Sequence, residues 1–542
     1  MNLIDDPWIP CRFDDGTTRE LGIQEALLRA REVTELSGDV PTQVFAVMRL
    51  LIAFLSRATQ GPSDEYAWRD LWRDGPSVEV IATYGDRFRH RFELLHPEYP
   101  FMQVATLQTA KGEFSPLSKI IADVPDGHQF FTTRGGEGLS SLTPAEAARW
   151  LLNTHAFDPS GIKSGAIGDA RVEGGKGYPI GTGWAGNLGG LFVEGKNLWE
   201  TLLLNLIPLE TNWVTRVGDD SPVWEREQQD AAPTGLVPTG PVSLYTWQSR
   251  RIRLIEKDGV ITSVLVANGD PLEPFNKNHL EPMTAWRRST PQQRKHDVAI
   301  AYMPRTHTPG RALWRGLSAI LPTAASAYSA DDGQDNVTAL VVQWASYILD
   351  TMSDSSHVQI RAIGIEYGSN NSVISEIIDD RLNVPLAVLS EVDPRLVPIV
   401  LRAVDRTERE AVFALKNLAS NLVRAAGADS DKILDGRRDR AAEMAYSALD
   451  PIFREWLASL GKETQPIAAL DDYSLKARRC LLDIWRELVE EASPQALVGR
   501  LVAGPKKDSE PRRLSAPLAE AWFRSAVFKA LPTSVNKRDG AA

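Results

Sequence analysis

Gly181-Thr182-Gly183-Trp184-Ala185-Gly186 fits the pattern G-x-G-x-x-G. A true dinucleotide site here would commit the chain to a parallel, doubly wound sheet, because the motif works only between a strand and a helix. Pro179 interrupts the approach, and Gly189-Gly190 stand where the helix should begin, so the match carries no such fold. The glycines belong instead to a wider crowd. Residues 161–195 hold twelve of the 39 glycines in the chain. Glycine loses the most conformational freedom on folding, so this density suits backbone that turns sharply or presses against another molecule. The segment opens with Ile162-Lys163-Ser164-Gly165, a cation and a hydroxyl beside flexible backbone, as a phosphate or a nucleic-acid groove would require. A solvated surface loop is the competing reading. Lys163-Ser164 resembles the end of a P-loop, but Ile162 occupies the position that needs glycine, so nucleotide hydrolysis is not supported. The segment closes with Leu198-Trp199-Glu200-Thr201-Leu202-Leu203-Leu204-Asn205, which reads as a buried helix.

A chain of 542 residues is long enough for two to four domains and a large core. The net charge of −11 argues against a surface that wraps nucleic acid throughout, while leaving room for a local basic site. Basic clusters occur at Arg250-Arg251-Ile252-Arg253, Arg287-Arg288, Arg294-Lys295-His296, Arg437-Arg438-Asp439-Arg440, Lys476-Ala477-Arg478-Arg479 and Lys506-Lys507 with Arg512-Arg513. Taken singly, each reads as a solvated face. Cys11 and Cys480 are the only cysteines, which excludes a disulfide framework and fits a cytoplasmic protein. No signal peptide is expected from Met1-Asn2-Leu3-Ile4-Asp5-Asp6. No membrane span is expected either, since Arg49 interrupts the apolar run from Val47 to Leu55.

The expected fold class is α+β: a large mixed α/β N-terminal domain over 1–380, then a C-terminal four-helix bundle over 381–542. In the first part, 42–58 reads as a buried helix, with Val44, Val47, Leu51 and Leu55 on one face. Residues 247–255 and 260–266 read as a hairpin closed by Lys257-Asp258-Gly259, and 337–351 as a long apolar helix. In the second part, Asp393-Pro394 is a start signal for a helix ended by Gly427. Further helices are expected over 437–460, 473–492 and 516–530. No catalytic constellation stands out. There is no H-E-x-x-H and no G-x-S-x-G, and His96, before Pro97, reads as the end of a strand. Asp331-Asp332 and Asp379-Asp380 have carboxylates that a metal-dependent nuclease would use, but nothing in their spacing requires it.

Several blocks, in order, carry a family resemblance. They are Asn2-Leu3-Ile4-Asp5 with Trp8-Ile9-Pro10, then His96-Pro97-Glu98-Tyr99-Pro100-Phe101-Met102-Gln103, then Lys163-Ser164-Gly165. The 202–205 end of the helix, Trp247-Gln248, and Tyr367-Gly368-Ser369-Asn370-Asn371-Ser372 follow. Together they resemble the CasA family, the large subunit of the type I-E CRISPR surveillance complex Cascade, over nearly the whole chain. The resemblance implies a protein without catalysis or cofactor. It implies, as partners, CRISPR RNA, double-stranded target DNA, the other Cascade subunits and a helicase-nuclease recruited to the R-loop, with no membrane. Such subunits read a protospacer-adjacent motif from the minor groove and wedge the duplex open.

Carried over residue by residue, the family's glycine loop falls on Phe157-Asp158-Pro159-Ser160-Gly161, where only Gly161 is glycine and Pro159 removes an N–H. Ser160, Gly161, Lys163 and Ser164 are the expected DNA contacts there. The wedge falls on Asn370 and Asn371, whose amides offer donors and acceptors to base edges. An ordinary left-handed turn is the bland alternative. Lys277, in Phe275-Asn276-Lys277-Asn278, is the nearest candidate for the lysine finger. His128-Gln129-Phe130-Phe131-Thr132-Thr133 resembles a loop at the guide-RNA end, with Phe130, Phe131 and Thr132 as its contacts. Some relatives carry cysteines for zinc near the first domain. This chain has no such set there, Cys11 standing alone in that domain, so no metal is expected. A pure assembly scaffold, and less favourably a metal-dependent nuclease, are the alternative functions.

Overall fold

The computed structural model describes residues 1–124, 140–211, 213–321, 336–352, 357–390, 395–502 and 511–533. Phe130, Phe131, Thr132 and Asp393-Pro394 lie outside them. The chain divides into two compact units. The first takes in Met1–Arg311, Ala325–Ser353 and Val358–Arg381, and the second Ala312–Ala324, Asp354–His357 and Leu382–Ala542.

The first unit is built around the helix Pro41–Ala58, apolar on nearly every face and buried almost throughout. By length and composition it could cross a membrane, which the sequence reading discounted, but 89% of that window is buried inside the protein. Arg49 is the reason it reads as interrupted, and the structure resolves it. The guanidinium is 2% exposed and grips Glu281 with bonds of 3.0 and 2.8 Å, and Glu281 also accepts from Trp184 Nε1 at 2.7 Å. A buried charge is tolerated when it is paired and hydrogen-bonded in this way. The helix Pro144–Phe157 packs against it. It starts at a capping box in which Thr143 and Glu146 serve each other's backbone N–H.

The expected hairpin forms from Arg250–Lys257 and Val260–Asn268. Asp258 and Gly259 both adopt positive φ in the turn, as a tight hairpin demands. A second sheet places His357–Tyr367 between Gly190–Glu194 and Ile374–Pro385. The apolar helix expected from 337 begins only at Leu340, because Asn336–Val337 pairs as a short strand with Trp286 and Arg287. His96 does not end a strand. It sits in a turn, where its Nδ1 accepts from the N–H groups of Glu98 and Tyr99. The block around it is a bracket: Gln103 donates to the Leu94 carbonyl and accepts from Leu254 of the hairpin.

The second unit is helical. Val397–Asp405 runs through a π-turn, Arg406–Val412, into Phe413–Ala425. Asp431–Ala458, Pro466–Glu490 and Ala516–Ala530 complete four long helical rods. Phe453, Trp456 and Tyr473 form its aromatic centre. Trp314 stacks on Phe453 with ring centroids 4.4 Å apart and donates to Asp450. This packing places Trp314 in the second unit, whereas the expected boundary near 380 puts it in the first.

Candidate nucleic-acid interface

The helix Pro144–Phe157 stops because Asp158 leaves helical geometry and Pro159 follows it. The loop that results is held from below. The Asp158 carboxylate takes Arg250 Nε at 2.5 Å and Lys163 Nζ at 2.6 Å. Arg250 Nη2 reaches the carbonyls of Pro159 and Gly181 at 3.1 and 2.8 Å. Asp158 and Arg250 are both buried, at 7% and 1% exposure. Burial by itself would raise the Asp158 carboxyl, but Lys163 and Arg250 outweigh it and hold the group below its ordinary range. For Lys163 the balance goes the other way, since burial pushes its ammonium down against the pull of Asp158.

Ser160 N–H donates to the Asn371 carbonyl at 2.7 Å. This bond joins the loop to the turn Ser369–Asn371, which links His357–Tyr367 to Ile374–Pro385. Asn370 and Asn371 have φ of 56° and 54°, a left-handed conformation that asparagine tolerates better than most residues. Both are exposed. A second link lies beneath, where Tyr367 Oη donates to the Phe157 carbonyl at 2.7 Å. Gly161, Lys163, Ser164, Ser372 and Val373 line one cavity of about 480 Å³ beside this junction.

The structure therefore gathers Ser160, Gly161, Lys163, Ser164, Asn370 and Asn371 into one neighbourhood. Among the described residues, Lys277 shares no hydrogen bond or cavity lining with this group and is half-buried in its own turn, where Phe275 stacks on His296 at 4.2 Å between centroids. Burial pushes the Lys277 ammonium down, opposed by Glu273. Lys163 is not the open lysine at a lip that its sequence suggests, since its side chain is 14% exposed and engaged by Asp158.

Sequence reasoning missed Arg250 and Tyr367. Arg250-Arg251 was read as solvated, yet both are 1% exposed, and Arg251 pairs with Asp270. The only available signal is that these arginines open a strand whose Ile252, Leu254 and Ile255 are apolar. Among the described residues, no group of three or more His, Cys, Asp or Glu is arranged to hold a metal ion.

The model of the family described as CRISPR-associated protein Cse1 matches residues 2–484. The CRISPR-associated protein CasA/Cse1 of Thermus thermophilus is 30% identical over 524 residues, covering 92% of this chain and 91% of that protein. The crystal structure of Thermobifida fusca Cse1 superimposes with a TM-score of 0.87 at 41% identity, covering 98% of each chain. A chain from a CRISPR RNA-guided surveillance complex shares the fold at a TM-score of 0.71 and 17% identity, covering 97% of this chain and 99% of that one. With its mixed first unit and helical second unit, this chain belongs to the CRISPR-associated Cse1 (CasA) family.

Proposed function

We propose that this chain is the non-catalytic large subunit of a cytoplasmic CRISPR RNA-guided surveillance complex, Cascade. In that role it recognises the protospacer-adjacent motif in duplex DNA from the minor groove, starts R-loop formation, and helps to recruit a helicase-nuclease to the opened target. The observation that carries this reading is the junction of loop and turn through Ser160 and Asn371. It sets small polar groups and backbone beside two exposed amides. The minor groove offers few distinguishing groups and little width, which favours backbone and small side chains over a bulky helix. Unstacking a base step costs on the order of a few kcal/mol, and pairing with guide RNA then exchanges one duplex for another near balance. The turn therefore has only to nucleate opening. A net charge of −11 suits a subunit with a local DNA site whose guide RNA is held mainly by its neighbours.

The test is target-duplex binding by the reconstituted complex, with and without this chain, on DNA carrying an intact or a scrambled adjacent motif. Motif-dependent binding and opening that require the chain are the expected result. Equal binding without it would leave the chain as an assembly scaffold.

A further inference from the structure

The glycine motif that is not a dinucleotide site has a physical job in this fold. Gly181 accepts from Arg250 through its carbonyl. Gly183 N–H donates to the Asp158 carbonyl at 2.9 Å, and a Cβ on Gly183 would meet the Ala156 carbonyl at 2.5 Å. A Cβ on Gly186 would collide with the Tyr367 hydroxyl. That hydroxyl is the one bonded to Phe157. The three successive carbonyls of Phe157, Asp158 and Pro159 are thus all engaged, by Tyr367, by Gly183 with Arg250, and by Arg250. The next N–H, of Ser160, is engaged by the turn. One link between loop and turn would act as a hinge. Two links, from Tyr367 below and Asn371 above, fix an orientation.

We propose that residues 181–186, with Arg250 and Tyr367, form a cradle that holds the loop at 158–161 in fixed register with the turn Ser369–Asn371. Gly183, Gly186, Arg250 and Tyr367 are then positioning residues for motif reading and strand opening. This rests on the reading under Proposed function. Tyr367→Phe is the mild probe, because it removes one hydroxyl and leaves the ring in place. Gly186→Ala is the harsher one, because its methyl displaces that hydroxyl.

The experiment uses the complex reconstituted with guide RNA. It compares affinities for intact-motif and scrambled-motif duplexes, and follows opening by a fluorescent base analogue beside the motif. Melting of the chain and guide-RNA loading are measured alongside. Tyr367→Phe is expected to lower motif discrimination about three- to tenfold, the range for one lost hydrogen bond, with loading unchanged and melting lowered only by what that one bond contributes. Gly186→Ala is expected to cost at least as much alone, yet to add less in the Tyr367→Phe background than in the wild type, because its severest clash is with the missing atom while the ring carbon and Thr182 stay at 3.1 and 3.3 Å. Discrimination unchanged in Tyr367→Phe, or lost only in step with melting and loading, overturns the cradle. A wild-type complex without motif discrimination overturns the underlying reading as well, so the two failures are told apart.

Discussion

The loop at 158–161 and the turn Ser369–Asn371 are joined by the Ser160–Asn371 bond and, just outside both, by the Tyr367–Phe157 bond, yet they are held in opposite ways. The loop sits on a buried ion cluster of Asp158, Arg250 and Lys163. The turn has no ion pair among the described residues and is held by short-range hydrogen bonds, with two exposed asparagines at positive φ. The difference separates stability from action. Charges sealed beneath the loop define where the chain runs, and amides free at the tip of the turn are what a nucleic acid would meet. Lys163, which looks functional in sequence, and Arg250, which looks solvated, are both tied to Asp158, while the plainest turn in the region presents the exposed amides.

The largest effect that would break this contrast lies at Arg250. Arg250→Ala strips Asp158 of one of its two cationic partners and frees the carbonyls of Pro159 and Gly181. Losing one member of a buried pair costs roughly 3–5 kcal/mol, so denaturant unfolding of the purified chain should show the first unit destabilised by that order. A cost below about 1 kcal/mol, typical of a surface ion pair, would mean that the seat is not a buried cluster.

The next effect is a dependence on pH. His155, in the helix that leads into the loop, donates from Nε2 to the Met102 carbonyl and is 2% exposed. Burial pushes it down to about 4, against the pull of that carbonyl and with Arg251 and Arg250 adding to the fall. The unfolded chain therefore takes up the proton first. The stability tied to the neutral ring is present above pH about 6.5 and is lost as the pH falls to about 4, amounting to about 3 kcal/mol. Unfolding measured across that window should steepen for the wild type and flatten in His155→Gln. Equal slopes would contradict the buried, neutral ring.

Much of the scaffold was legible because it is periodic. The core helix at Pro41–Ala58, the Asp258-Gly259 hairpin and the last helix, Ala516–Ala530, follow from local pattern alone. The site was only half legible. Its loop and turn were located through family resemblance, but their support was not, because it depends on partners distant in the chain. Arg250 meets Asp158 across 92 residues, and Tyr367 meets Phe157 across 210. No local signal distinguishes a buried arginine from a solvated one. The same blindness put Lys163 at an open lip and Trp314 in the wrong unit, since ion pairing and aromatic stacking are decided in three dimensions.

The smallest expected effect on stability gives the most direct test of function. Asn370→Gly with Asn371→Gly keeps a backbone that tolerates positive φ and removes both amides, so unfolding should change by no more than about 1 kcal/mol. In the reconstituted complex, opening of the first base pairs beside the motif is then measured against guide-RNA loading. The account predicts that opening slows strongly while loading and stability hold. Opening at the wild-type rate, or a matching loss of loading, would contradict the claim that this turn works on the duplex.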